Sequence, residues 1–160
     1  MHVTKAAMLG ELAAIKEFFD RSTRVLEESD AHFTPAPGMF TAAQQVAHVA
    51  QTMEWFIDGA FAPGGFSLDF ENMDREVRTV TSLAAARDWL NKACEKAKGV
   101  VEARAEAEWL EPLPPGPVMG GMPRLAVLSA LNDHTAHHRG ALTVYSRLLG
   151  KTPPMPYGDM

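Results

Sequence analysis

A single cysteine, Cys94, is all the thiol this 160-residue sequence contains. No intrachain disulfide can form, and metal sites built from several cysteines are excluded. No apolar run approaches the roughly 18 residues that cross a bilayer, so no membrane partner is expected. Positive charge is also short. The 15 lysines and arginines stand against 20 aspartates and glutamates, a formal net charge of −5. That balance gives no general attraction to phosphate, and no nucleic-acid partner is expected. The opening stretch MHVTKAAMLGELAAIKEFFD spreads charges through its apolar pattern and lacks a signal-peptide core, which makes the cytoplasm the expected location. Two helical metal-enzyme motifs are missing as well. There is no Glu-x-x-His, which carboxylate-bridged di-iron bundles need, and no His-Glu-x-x-His of zinc proteases.

What is present is helical periodicity, in four segments separated by Pro/Gly-rich breaks. The first runs from Thr4, a candidate N-cap, to Ser29, with Met8, Leu12, Ile15, Phe19 and Leu26 on one stripe. The second starts where Thr41 and Gln44 have capping-box spacing and continues to Phe61. The third spans Ser82 to Leu110 and turns Leu83, Ala86, Leu90, Ala93, Ala97 and Val101 inward, with Cys94 near that stripe as a small core residue. The fourth opens at Pro123 and closes at Gly150, before Pro153 and Pro154. Residues 62–81 suggest at most short extended pieces, too few for a sheet. The expected fold is all-α, a single domain over residues 1–160 forming an up-down-down-up four-helix bundle. Its long crossover lies between the second and third helices.

Half of the six histidines fall in NDHTAHHRGAL, residues 132–142. At roughly 100° per residue, His138 lies about 40° from His134, among Val127, Ala130, Leu131, Ala141, Leu142, Tyr145 and Leu148. Asn132, Arg139, Thr143 and Arg147 fall on the far face, and His137 on the flank, about 60° off. Two imidazoles at i and i+4 on a buried stripe are the arrangement helical metal sites use. His48 is the one other histidine within a predicted helix. Its side carries Gln44, Gln51, Thr52 and Trp55, opposite Val46, Ala50, Met53 and Ile57, and taken alone it reads as a solvated residue. His2 and His32, in a terminus and a loop, carry no signal.

The run HTAHHRG, followed by YSRLLGKTPPMPYG, resembles the DinB family of small metal-binding four-helix bundles. That family pattern has a histidine early in the second helix, then His-x3-His followed by Arg-Gly in the fourth, and a Tyr-x-Arg-x-x-Gly stretch with a proline-containing tail. The matching positions are His48, His134, His138, Arg139-Gly140, Tyr145, Arg147 and Gly150. AHVAQTMEWF is similar to the family's second helix. Ala141 departs from the pattern, since many members carry glutamine after Arg-Gly and could use it to support a ligand.

The resemblance implies a divalent metal held by His48, His134 and His138, with zinc first and nickel or iron as alternatives, since histidine suits all three. Some relatives are S-transferases that use low-molecular-weight thiols such as bacillithiol or mycothiol, and others resemble maleylpyruvate isomerase. Three neutral imidazoles leave coordination positions open, so a small thiol could be activated there against an electrophilic small molecule. Tyr145 and Trp55 are candidate cleft residues. The competing reading is a non-catalytic bundle, in which the metal staples helices or the domain senses a ligand without turnover. A homodimer is implied too, and Phe18 and Val25 point the same way, lying roughly 100° or more from the core stripe of the first helix.

Overall fold

The computed structural model describes residues 4–158, and among these it is all-helical, with an isolated bridge between Pro112 and Pro123 and no strand. Four long helices enclose the core: α1 (Lys5–Thr23), α2 (Ala42–Phe61), α4 (Leu83–Ala103) and α6 (Ala126–Leu148). Two short ones, α3 (Phe70–Arg78) and α5 (Glu106–Leu110), sit in the connections. No helix of the described residues is long and apolar enough to cross a membrane.

The caps explain the boundaries. Thr4 accepts from Ala7 N at 3.2 Å, and Thr41 and Gln44 form a reciprocal box that starts α2. Ser82 caps α4 through Ala85 N at 3.1 Å. Gly150, at φ 75°, closes α6 in the left-handed conformation that glycine adopts without cost.

Three boundaries differ from the periodicity. The first helix stops at Thr23, not Ser29, and a 3-10 turn at Glu28–Asp30 follows. There the Arg87 guanidinium takes the Thr23 carbonyl at 2.8 Å, and Asp30 accepts from Glu27 N at 2.7 Å. Both bonds satisfy backbone groups outside a helix. Leu26 is buried even so. The third segment divides, because Glu108 accepts from Ala105 N at 2.7 Å and starts a separate turn. That turn seats Trp109 fully inside, edge-on to Phe61. The crossover holds the helix α3 where extended pieces were expected. Val77 is its one buried residue, and its apolar stripe of Phe70, Met73 and Val77 is short; Glu71–Arg75 and Asp74–Arg78 pairs at i,i+4 support the helix as well.

Cross-helix pairs set the relative directions. Trp89 donates to Glu54 and Lys96 pairs with Asp58, so α2 and α4 run the same way. Arg87 meets Thr23, and Glu106, just beyond α4, accepts from Lys5 N, so α1 and α4 run oppositely. His134 meets His48 and His138 meets Gln45, so α2 and α6 are opposed. With α4 on one side, α6 on another and α3 alongside, α2 is enclosed around most of its circumference. The crossover is anchored at Gly59, where a Cβ would lie 2.2 Å from the Phe66 ring.

The core accepts the expected inner faces of α1 and α4 in full. Cys94 is buried 3.4 Å from the Met53 sulfur, and desolvation pushes its thiol up to about 11, as suits an inert core residue. Phe18 corrects one expectation. It is not left without a partner, because the C-terminal segment folds back and sets Tyr157 edge-on to it at 5.2 Å, with Arg139 over both rings. Val25 is partly buried as well. Leu148, expected on the inner stripe of α6, is exposed at the helix end.

Candidate metal centre

Two helices bring three imidazoles together. His48 comes from the first half of α2, and His134 and His138 stand one turn apart on α6. One ring nitrogen from each lies within 4.8 Å of the other two, and the Nε2 atoms of His48 and His134 are 3.2 Å apart. Among the described residues this is the one group of three or more His, Cys, Asp or Glu so arranged. His137 is exposed and turned to the flank, with its ring 4.9 Å from that of His138. His32 is exposed, and His2 lies outside the described residues.

The polar flank assigned to His48 is not solvated. Gln51 and Thr52 are buried and Gln44 and Trp55 half-buried, because α6 and α3 cover the side of α2 that the sequence pattern leaves to water. Phe40 packs against the His48 ring at 5.4 Å.

Burial sets the charge state. Desolvation lowers the pKa of His48, that of His134 to about 4 and that of His138 to about 3, with the neighbouring histidines pushing the same way and Asp74 opposing at His48. The imidazoles are therefore neutral near pH 7, the form that donates a lone pair to a metal. A consequence for the metal-free protein follows. Between the ordinary histidine value of 6.5 and these folded values, the unfolded chain binds more protons than the folded one, so stability rises with pH there. Acidification from about pH 7 to about pH 5 is expected to cost up to about 1.4 kcal/mol per unit for each such histidine. Urea titrations of chelator-treated protein check this, and a midpoint independent of pH over that range would contradict it.

Behind His138 lies a feature the sequence reading missed. Its Nδ1 donates to Gln45 Oε1 at 2.5 Å, Gln45 Nε2 donates to the Tyr145 hydroxyl at 3.3 Å, and that hydroxyl donates to the Phe40 carbonyl at 2.8 Å. The chain of bonds fixes the tautomer, so the His138 lone pair is on Nε2. Gln45 precedes His48 by three residues, a spacing that puts both on one helix face, and this was the available signal. Tyr145 is thus a buried positioning residue, 1% exposed, and does not line a cleft.

This bundle has a sequence match to go with its geometry: the family model of the DinB superfamily matches residues 12–142. The chain belongs to the DinB superfamily. No curated protein matches it.

In this DinB bundle the histidine group could hold a metal ion, and the donor set fits one. Two Nε2 atoms 3.2 Å apart are close to an edge of roughly 3.3 Å, the value for tetrahedral zinc with bonds of about 2.0–2.1 Å. Neutral imidazoles facing one another leave a lone pair opposed to a lone pair unless a proton or a cation lies between. His134 Nδ1 is buried without a hydrogen-bond partner, so nothing on the protein side competes for which of its nitrogens carries the proton. Ala141 contributes no polar group, and the supporting bond to a ligand comes from Gln45 on the facing helix.

Trp55 stands apart from the histidines. Its Nε1 donates to the Ser67 carbonyl at 2.8 Å, and it lines a groove of about 530 Å³ between α2 and α3.

Proposed function

We propose that His48, His134 and His138 of this DinB protein hold a divalent metal ion, zinc first with nickel and iron as alternatives. We further propose that the protein is an S-transferase joining a low-molecular-weight thiol to an electrophilic small molecule. The observation that carries the reading is the convergence of three neutral imidazoles from two helices, with no fourth ligating side chain in the group. A dication bound there would supply Lewis-acid chemistry, bringing the pKa of a thiol or water beside it toward neutrality. The protein's own contribution is preorganisation. Gln45 holds the His138 ring with its Nε2 free, and Tyr145 and the Phe40 carbonyl hold Gln45. Burial keeps the imidazoles from protonating, and the Phe40 ring shields His48 from solvent.

The test is a thiol titration of cobalt-substituted protein. A small thiol is expected to shift the ligand-field bands saturably, since sulfur is a softer donor than the oxygen it replaces. A staple that only ties α2 to α6 predicts otherwise: an unchanged spectrum at saturating concentrations of several thiols, with thermal stability falling when the metal is removed. That outcome would remove the S-transferase reading and leave a structural metal bundle.

A homodimer is a further part of the proposal and rests on the family resemblance. Val144 and Leu148, both exposed one turn apart on α6, offer apolar surface for it. Sedimentation at micromolar concentration is expected to show twice the 17.5 kDa chain mass, and a monomer alone would refute it.

A further inference from the structure

Across the bundle from the histidines, a groove of about 320 Å³ runs along the seam between α1 and α4. α1 packs against α4 and α6, and α2 packs against the same two, so this seam lies opposite the α2–α6 seam that holds the imidazoles. α1 lines the groove with Lys16, Asp20 and its C-cap Arg24, and α4 lines it with Arg87 and Asn91, one turn apart. Three cations thus face one carboxylate, in a chain whose net charge is −5. That carboxylate is already engaged, because Asp20 pairs with Lys16 at i,i+4.

Arg87 is the group left out of balance. It is half-buried, and both of its hydrogen bonds go to neutral groups of Thr23, the carbonyl at 2.8 Å and the hydroxyl at 3.3 Å. Burial disfavours the guanidinium charge, and Asp20 is the carboxylate that offsets it, from beyond ion-pair distance. The two terminal nitrogens are turned toward Thr23, while no acceptor among the described residues meets Nε–H. Nor is Nε one of the unpaired polar atoms sealed in the interior, so it is open to what enters the groove. Each terminal nitrogen carries two N–H groups, so one beside Nε–H remains as well. That edge is where a guanidinium takes two oxygens of one anion. A charge half out of water, with a directional donor opening on a groove of small-molecule size, calls for an acceptor that is negative.

We infer that the groove between α1 and α4 binds a small oxyanion, the phosphate or carboxylate group of a small molecule. The Nε–H edge of Arg87 holds two of its oxygens, Lys16 and Arg24 add positive charge, and the Asn91 amide donates from the next turn of α4. The inference does not rest on the metal reading.

The test is an NMR titration of the arginine Nε–H signals of the full chain, with inorganic phosphate or acetate replacing chloride at constant ionic strength. The Arg87 signal, identified by its absence in Arg87→Lys, is expected to shift saturably, and the anion that saturates it at lower concentration names the class. Asp20→Asn removes the groove's carboxylate and should tighten binding several-fold, whereas Asn91→Asp adds one and should weaken it several-fold. Asn91 is exposed and outside the Thr23 contacts, so Asn91→Asp keeps the test open if Arg87→Lys loosens the end of α1. Glu102→Gln changes the net charge as much as Asp20→Asn does, but it lies roughly 22 Å from Arg87 along α4 and should leave the affinity unchanged. An Arg87 signal that neither anion moves, a groove variant that shifts affinity the wrong way or not at all, or an equal gain from Glu102→Gln would overturn the assignment.

Discussion

Alanine in place of His134, His138 or His48 is expected to remove most of the metal ion proposed to bind there. Each substitution removes one of three ligand atoms that lie within 4.8 Å of one another. Outer-shell partners alone are typically worth about 10–100-fold in metal affinity, so loss of a direct ligand should exceed a hundredfold. His137→Ala and His32→Ala should keep the metal, because both side chains are exposed and outside the group. Elemental analysis of protein purified without a histidine tag reads the result directly. The contrast between His137 and His138 is the sharpest part, since adjacent residues on one helix are expected to differ completely. If His137→Ala lost metal and His138→Ala kept it, the face assignment of α6 would be wrong. Folding is a separate matter. The imidazoles are only partly buried, and the α2–α6 contact also rests on Tyr145, bonded to Gln45, so the variants should remain helical.

The face of α6 was legible because an amphipathic helix declares its buried stripe through its own apolar residues. Val127, Leu131, Leu142 and Tyr145 are buried, Asn132 and Arg147 are exposed, and His134 and His138 fall between them on the inner side, as the 3.6-residue period requires. His48 was not legible in the same way. The side of α2 that carries it is covered by α6 and α3, and the apolar stripe of α3, Phe70, Met73 and Val77, spans only nine residues, too short a pattern to announce a covering helix. Its i,i+4 ion pairs were visible in the sequence, but such pairs stabilise a helix by only about 0.2–0.5 kcal/mol each and rarely identify one. The resemblance supplied His48 where periodicity could not. The early end of α1 escaped for another reason: it depends on Arg87, which is 64 residues from the carbonyl it takes, and local patterning holds no information on that contact. Leu26 kept the apolar spacing going past the true end and is buried from a turn instead.

Gln45→Leu is expected to lower metal affinity by about 10–100-fold while leaving the bundle folded. Leucine is close in size, so the buried position between α2 and α6 stays filled. What disappears is the acceptor for His138 Nδ1–H, and with it the constraint that keeps Nε2 as the free nitrogen and the ring in register with His48 and His134. The Tyr145 hydroxyl also loses the Gln45 donor, though it keeps the Phe40 carbonyl as an acceptor. Tyr145→Phe should therefore have the smaller effect, because Gln45 Oε1 still reaches His138 after the hydroxyl is gone. Gln45→Glu separates orientation from mere packing. A carboxylate accepts from Nδ1 more strongly, makes the imidazole a more basic ligand, and is expected to restore most of the affinity that leucine removes. Competition against a chromophoric chelator gives the ordering, with glutamate near wild type, phenylalanine at position 145 intermediate and leucine weakest. Leucine and glutamate variants of equal affinity would mean that Gln45 fills space and does not orient the ligand. The ordering holds for zinc, nickel or iron alike, since the bond acts on the imidazole and not on the ion.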